Sequence, residues 1–113
     1  IAIYGKDKFL DFTYIDDCVG GVIRGIENFD KARGNTFNLA SGHSHSLVDV
    51  AHIVKKILKS KSKILIKKNR CGEVIRFTAD ISTAKKVLNY NAKTSIEEGV
   101  KISVNWYLKN IND

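Results

Sequence analysis

The chain reads as an α/β domain in which short strands alternate with about four helices. Three observations predict this class. Apolar residues recur at helical spacing in several stretches, short β-branched or aromatic runs stand between them, and the sequence contains no proline, internal repeat or low-complexity linker that would split it. With 113 residues, 43% hydrophobic and 27% charged, the composition is that of a globular chain able to bury a core.

Ile1-Ala2-Ile3-Tyr4 already reads as a strand, as in a piece cut from something longer. Gly5 to Lys8 has turn composition, and Phe9 to Ile15 forms a second extended segment with Phe12 and Tyr14 on one side. Asp16 or Asp17 is suited to cap a helix, since a carboxylate there accepts from free amides and meets the positive end of the dipole. Val19, Val22, Ile23 and Ile26 give that helix its stripe, to about Phe29. Gly20, Gly21 and Gly25 weaken it, so close packing against a neighbour is expected to compensate.

Lys31 to Asn35 is loop, Thr36 to Leu39 a short strand, and the Ser-Gly-His-Ser-His-Ser run after Ala40 a polar loop. Ser46 and Asp49 resemble a capping box ahead of the stripe Leu47, Val50, Ala51, Val54, Ile57 and Leu58. The lysine-serine run from Lys59 ends that helix, and Ile64 to Ile66 is a strand. Ser82, Ala84, Val87 and Leu88 make a short helix closed by Asn89-Tyr90-Asn91. A second box, Ser95 with Glu98, opens a final helix in which Ile96, Val100, Ser103, Val104, Tyr107 and Leu108 share a face, with Trp106 off its centre.

The formal net charge of +7 favours anionic partners without saying which. Seven lysines fall between Lys55 and Lys68. A nucleic-acid surface wants aromatic rings interleaved with such residues, and none occurs between Ala51 and Arg76, so the run reads as a solvated face. A basic nucleic-acid-binding module is the alternative from a different functional class. No apolar run approaches the ~20 residues of a membrane span, and Cys18 and Cys71 read as free thiols, which together predict a soluble, cytoplasmic protein with no membrane partner. His43, His45 and His52 lie in or near the polar loop without a cysteine close in sequence, and no metal site is expected from them.

The stretch Asn69 to Asp80 carries the chemistry. Arg70 offers a planar fork of donors suited to phosphate or vicinal hydroxyls, Gly72 permits a sharp turn, and Glu73 is placed to accept from ribose hydroxyls or to clamp the arginine. Arg76 supplies a second phosphate contact or pairs with Asp80. The alternative is a surface loop whose charges pair among themselves.

Six fragments in order carry a resemblance: Asp11 to Asp17, Phe37 to Gly42, Ser46-Leu47, Arg70 to Glu73, Ala79 to Ser82, and Thr94 to Gly99. Together they resemble the carboxyl-terminal part of the NAD-dependent nucleotide-sugar epimerases and dehydratases, extended short-chain dehydrogenases/reductases typified by UDP-glucose 4-epimerase. The resemblance implies that residues 1–113 are the small substrate-binding portion of an extended Rossmann-type enzyme. In that family NAD sits on an amino-terminal Rossmann domain that this chain lacks, and a UDP-sugar or related nucleotide-sugar sits mainly on the carboxyl-terminal region. It further implies that Arg70 and Glu73 hold the nucleotide's phosphate and ribose, Glu73 standing where an aspartate is usual.

The family often carries an arginine directly before the Asp-Phe pair. Here that residue is Leu10, leaving Lys8 as a substitute point charge, or Arg70 and Arg76 to bind the diphosphate alone. The glycine-rich cofactor turn is absent. Tyr4 and Lys8 have the spacing of the catalytic Tyr-x-x-x-Lys but lie on a strand and a turn rather than one helix, so no catalytic or cofactor-binding residue is expected in this chain. The expected activity is UDP-sugar 4-epimerisation by a homodimeric full-length enzyme, the fragment itself being inert, with dehydration or decarboxylation of a similar substrate as the alternative. Apolar surface around Thr36 to Leu39 is expected to pack on the rest of the enzyme.

Overall fold

The computed structural model describes residues 1–111. In chain order the elements are β1 (Ala2–Tyr4), β2 (Phe9–Asp11), α1 (Ile15–Glu27), α2 (Phe29–Ala32), β3 (Ser44–Ser46), α3 (Leu47–Ile57), β4 (Leu65–Lys67), α4 (Ser82–Leu88) and α5 (Ile96–Asn110). The α/β class is as expected, with five helices because a short α2 follows α1 after Asn28. Two small sheets organise the strands. β1 pairs in parallel with β4, Ile3 opposite Ile66, and β2 pairs antiparallel with β3, Leu10 opposite His45.

Both serines cap their helices, Ser95 through the Glu98 amide of the expected box and Ser46 through the Val48 amide instead of that of Asp49. Ser46 Oγ accepts from the Val48 amide at 3.1 Å and Ser95 Oγ from the Glu98 amide at 3.2 Å. α3 ends at the lysine-serine run through a left-handed residue, Lys59 at φ 49°, with Ser60 N–H donating back to Lys55 O and Lys59 N–H to Lys56 O.

Four expectations are corrected. Asp16 and Asp17 do not cap α1: Tyr14 is its N-cap residue, without a side-chain bond, and the extended segment stops at Asp11. Thr36 to Leu39 is not a strand; Phe37 and Leu39 pack on the core, and Asn38 Nδ2 donates to Asp80 O at 2.9 Å. Part of the predicted histidine loop is β3, because β2 offers it a ladder partner. Of the three α1 glycines only Gly21 is closely packed, where a Cβ would lie 2.7 Å from Leu39 Cδ2 and 3.0 Å from Tyr90 Cδ2; nothing approaches Gly20 or Gly25 within 4 Å.

The core gathers on Ala84, Leu88 and Tyr90, with Phe37, Leu39 and Ala32 against them. α1 therefore presents its Gly21 side to the core. Its apolar stripe, from Ile15 through Val19, Val22, Ile23 and Ile26 to Phe29, is 46–69% exposed. The radius of gyration is 16.6 Å, with extents of 51 × 35 × 22 Å. A compact chain of this length would have a radius near 13 Å, so the fold is a flat slab with broad apolar faces.

Candidate functional site

The segment from Leu65 to Phe77 runs alongside the first strands and carries the candidate residues with it. Gly5 N–H donates to Lys67 O, Phe9 N–H to Ile75 O and Phe77 N–H to Phe9 O, each at 2.9 Å. This threading brings Arg70 to the end of β1, where its Cζ lies 3.8 Å from the centroid of the Tyr4 ring; Lys67 Nζ is 5.5 Å from the same centroid. Arg76 lies over Phe9, Cζ 4.7 Å from the ring centre. Gly72 makes the intervening turn at φ 81° with open space around it, so its role is conformational rather than one of close approach.

Glu73 is shared. Its Oε2 is bonded to Lys8 Nζ, and its Oε1 stands 3.7 Å from Arg70 Nη1. Lys8 is buried, 5% exposed, and an ammonium so enclosed needs this carboxylate. Arg70 is open, its side chain 59% exposed. Polar contact with Tyr4, and then the Glu73 charge, raise its already high pKa against a desolvation that opposes them, so the guanidinium stays charged at any working pH.

The structure thus joins Lys8, Glu73 and Arg70 in one chain of charges and sets Arg76 apart on its own ring. Pairing of Arg76 with Asp80 is corrected. Asp80 Oδ1 accepts from the Ser82 amide at 2.9 Å, which lowers its pKa, and among the described residues the ion pairs are Lys8–Glu73 and Arg70–Glu73. Tyr4 ends β1, on a strand and not a helix, so Tyr4 and Lys8 do not form a helical Tyr-x-x-x-Lys pair. Leu10 is in β2, opposite His45.

The described grooves lie elsewhere. One of about 530 Å³ between α3 and α5, walled by Tyr14, Val54, Val100 and Leu108, is apolar. A cleft of about 340 Å³ is bordered by His43, His45, Lys93 and Glu97. His43 Nδ1 is 3.1 Å from Ser41 O, and among the described residues no three His, Cys, Asp or Glu side chains converge as metal ligands. No helix of the described residues is long and apolar enough to cross a membrane.

Three polar side chains, of which sequence reading took Asp17 for a cap and gave Asp11 no role, cross-link the fragments that frame this site. Asp11 accepts from Ser41 N–H and Gly42 N–H at 3.0 Å, from Ala79 N–H at 3.2 Å and from the Ser41 hydroxyl. Asp17 accepts from the Lys93 and Thr94 amides at 3.0 Å. Asn38 reaches Asp80, as above. The available signal for Asp11 was a lone carboxylate between two large apolar residues of a strand, a costly placement without donors.

Burial by itself would raise the Asp17 pKa, but the Lys93 and Thr94 amides, the Thr94 side chain and the Lys93 charge together bring it below its ordinary 3.8. A folded value below the unfolded one means that Asp17 contributes stability above pH 3.8, which is lost as pH falls through the folded value. Asp17→Asn is accordingly expected to flatten the decline in melting temperature between about pH 4 and pH 2. Parallel declines in the two proteins would refute this.

No family model matches the chain. It is 36% identical over 113 residues to a UDP-glucuronate 4-epimerase of Thermodesulfobacterium geofontis, covering 98% of this chain and 34% of that protein. It is also 36% identical to UDP-glucuronate 4-epimerase 4 of Arabidopsis thaliana, over 87% of this chain and 25% of the relative. Among solved structures, UDP-glucose 4-epimerase from Bifidobacterium longum, in complex with NAD+ and UDP, superposes with a TM-score of 0.87 at 28% identity, over 99% of this chain and 36% of that one.

The chain belongs to the nucleotide-sugar epimerase and dehydratase family. It spans about a quarter to a third of the length of these epimerases and corresponds to their carboxyl-terminal portion. The epimerase resemblance rests on fragments that are largely cross-links: Asp11, Ser41, Gly42 and Ala79 meet in one cluster, and Asp17 ties the first of them to the last. Their order along the chain is thus a record of which loops this fold ties together.

Proposed function

We propose that this chain is the nucleotide-sugar-holding portion of an NAD-dependent UDP-sugar 4-epimerase. The observation that carries the proposal is Arg70: an exposed, permanently charged guanidinium that lies over the Tyr4 ring and whose donors are not closed off by a bidentate carboxylate. Its part is positioning. Arg70 takes the diphosphate, with Arg76 as a second cation, and Glu73 accepts from ribose hydroxyls while anchored by Lys8. The sugar is then held at a fixed distance from the reacting groups, which converts binding energy into orientation.

The flat shape and the uncovered stripe of α1 support a second feature of the reading. Residues 1–113 form one carboxyl-terminal substrate-binding domain that completes its apolar packing against the rest of a longer enzyme. The relatives at 36% identity favour epimerisation over dehydration or decarboxylation. Gly20, Gly21 and Gly25 lie within α1 and not in a strand-to-helix turn, so these residues do not fit an NAD phosphate site. NAD and the catalytic groups are assigned to the remainder of the enzyme, and this chain alone is inert.

Calorimetric titration with UDP tests the reading. Arg70→Ala is expected to weaken binding about tenfold or more, the worth of a charge-assisted bond to phosphate. Replacing Lys59, Lys61 and Lys63 together by alanine is expected to leave it within about twofold, as for solvated charges. Unchanged UDP affinity in Arg70→Ala would defeat the proposal, and steeply salt-dependent binding of unrelated DNA lost with the lysines would replace it.

A further inference from the structure

Arg70 and Arg76 are each seated on an aromatic face. Arg70 lies 3.8 Å above Tyr4 and Arg76 4.7 Å above Phe9, measured from Cζ to ring centre. A cation over a ring face is held by the ring's quadrupole, without a second carboxylate having to take its N–H groups. A bidentate carboxylate would instead consume those same donors. Among the described residues the one carboxylate within 4.0 Å of Arg70 is Glu73, at 3.7 Å, and the other Glu73 oxygen is committed to the buried Lys8. Among the described residues Arg76 has no carboxylate within 4.0 Å.

The two rings are the last residue of β1 and the first of β2, at the two ends of the Gly5–Lys8 turn. The backbone bonds from Gly5 to Lys67 and between Phe9, Ile75 and Phe77 hold the arginine segment against both rings. We propose that Tyr4 and Phe9 are positioning residues that mount Arg70 and Arg76 as a two-arginine diphosphate grip, and that Lys8 holds Glu73 back from capping Arg70. The proposal rests on the nucleotide-sugar reading for the identity of its ligand and goes beyond it in assigning how the donors are kept free. The nucleotide-sugar reading makes the ligand class a diphosphate ester, with one arginine seated on each ring.

The test is titration of the chain with inorganic pyrophosphate, UDP and uridine, with melting curves as the folding control. Tyr4→Leu and Phe9→Leu are each expected to weaken both diphosphates about three- to fivefold and to leave uridine unchanged, while Tyr4→Phe, which keeps the ring, stays within about twofold. In an Arg70→Ala background Tyr4→Leu should have no further effect, a result that a general structural role for Tyr4 would not give. If Tyr4→Leu fails to fold, Arg70→Lys carries the same expectation, because it retains the charge and lacks the planar face.

Undiminished diphosphate affinity in Tyr4→Leu or Arg70→Lys, or an equal Tyr4→Leu loss with and without Arg70, overturns the mounting proposal even where UDP still binds. Stack-dependent binding of pyrophosphate with no preference for UDP upholds the grip and overturns the nucleotide reading alone. Failure of wild type to bind either diphosphate overturns both.

Discussion

Asp11→Ala is expected to lower the unfolding free energy by about 2–4 kcal/mol, because the Gly42 and Ala79 amides lose their acceptor in a partly buried position, while the Ser41 amide and hydroxyl keep Thr13 Oγ1 and His43 O. Gly42 and Ala79 lie 31 and 68 residues away along the chain, so no local rearrangement can satisfy both at once. Asp11→Asn is expected to fall between, since one oxygen still accepts while the new amide group opposes the remaining N–H donors. Urea unfolding followed by circular dichroism measures both, an unchanged slope identifying the effect with the native state. A loss below about 1 kcal/mol would mean that water replaces the carboxylate and that Asp11 does not tie these loops together. The same variant should weaken UDP binding, because Ala79 follows directly on the segment that carries Arg76.

Tyr90→Ala carries the other large effect, about 3–5 kcal/mol for removing a buried aromatic ring and leaving a cavity. Tyr90 is 2% exposed, packs with Ala84 and Leu88, touches the Cα side of Gly21, and donates its hydroxyl to Ala40 O at 3.1 Å. Tyr90→Phe keeps the ring and frees one carbonyl, so its cost is expected near 1 kcal/mol. Thermal melts of the two variants separate packing from hydrogen bonding. Equal losses would place the importance of Tyr90 in its hydroxyl and refute the cavity argument.

Much of this was legible in the residues. Helix stripes and serine caps depend on contacts three or four positions apart, which a sequence displays directly, and α3 and α5 begin where Ser46 and Ser95 require. Arg70 was legible as a permanently charged planar donor in a loop, and the six fragments placed the chain in its family. Partnership was not legible. Asp17 was read as a cap because the helix start lies beside it in sequence, whereas the amides it accepts from lie 76 and 77 residues on. The apolar stripe of α1 was seen, but periodicity records a face and not what covers it; in this chain the Gly21 side takes the core instead.

By itself, then, the sequence determined the α/β class and the two serine caps, which follow from side-chain chemistry and spacing within a few residues, and, through six fragments in order, the family. Tertiary structure alone decided that Lys8 is spent on Glu73, that Arg76 stacks on Phe9 and leaves Asp80 to cap Ser82, and that Tyr4 seats Arg70. The reason is distance along the chain. A charge or a ring can meet any of many partners of the right kind, and only the path of the backbone from β1 to the Arg70 segment selects which one lies within reach.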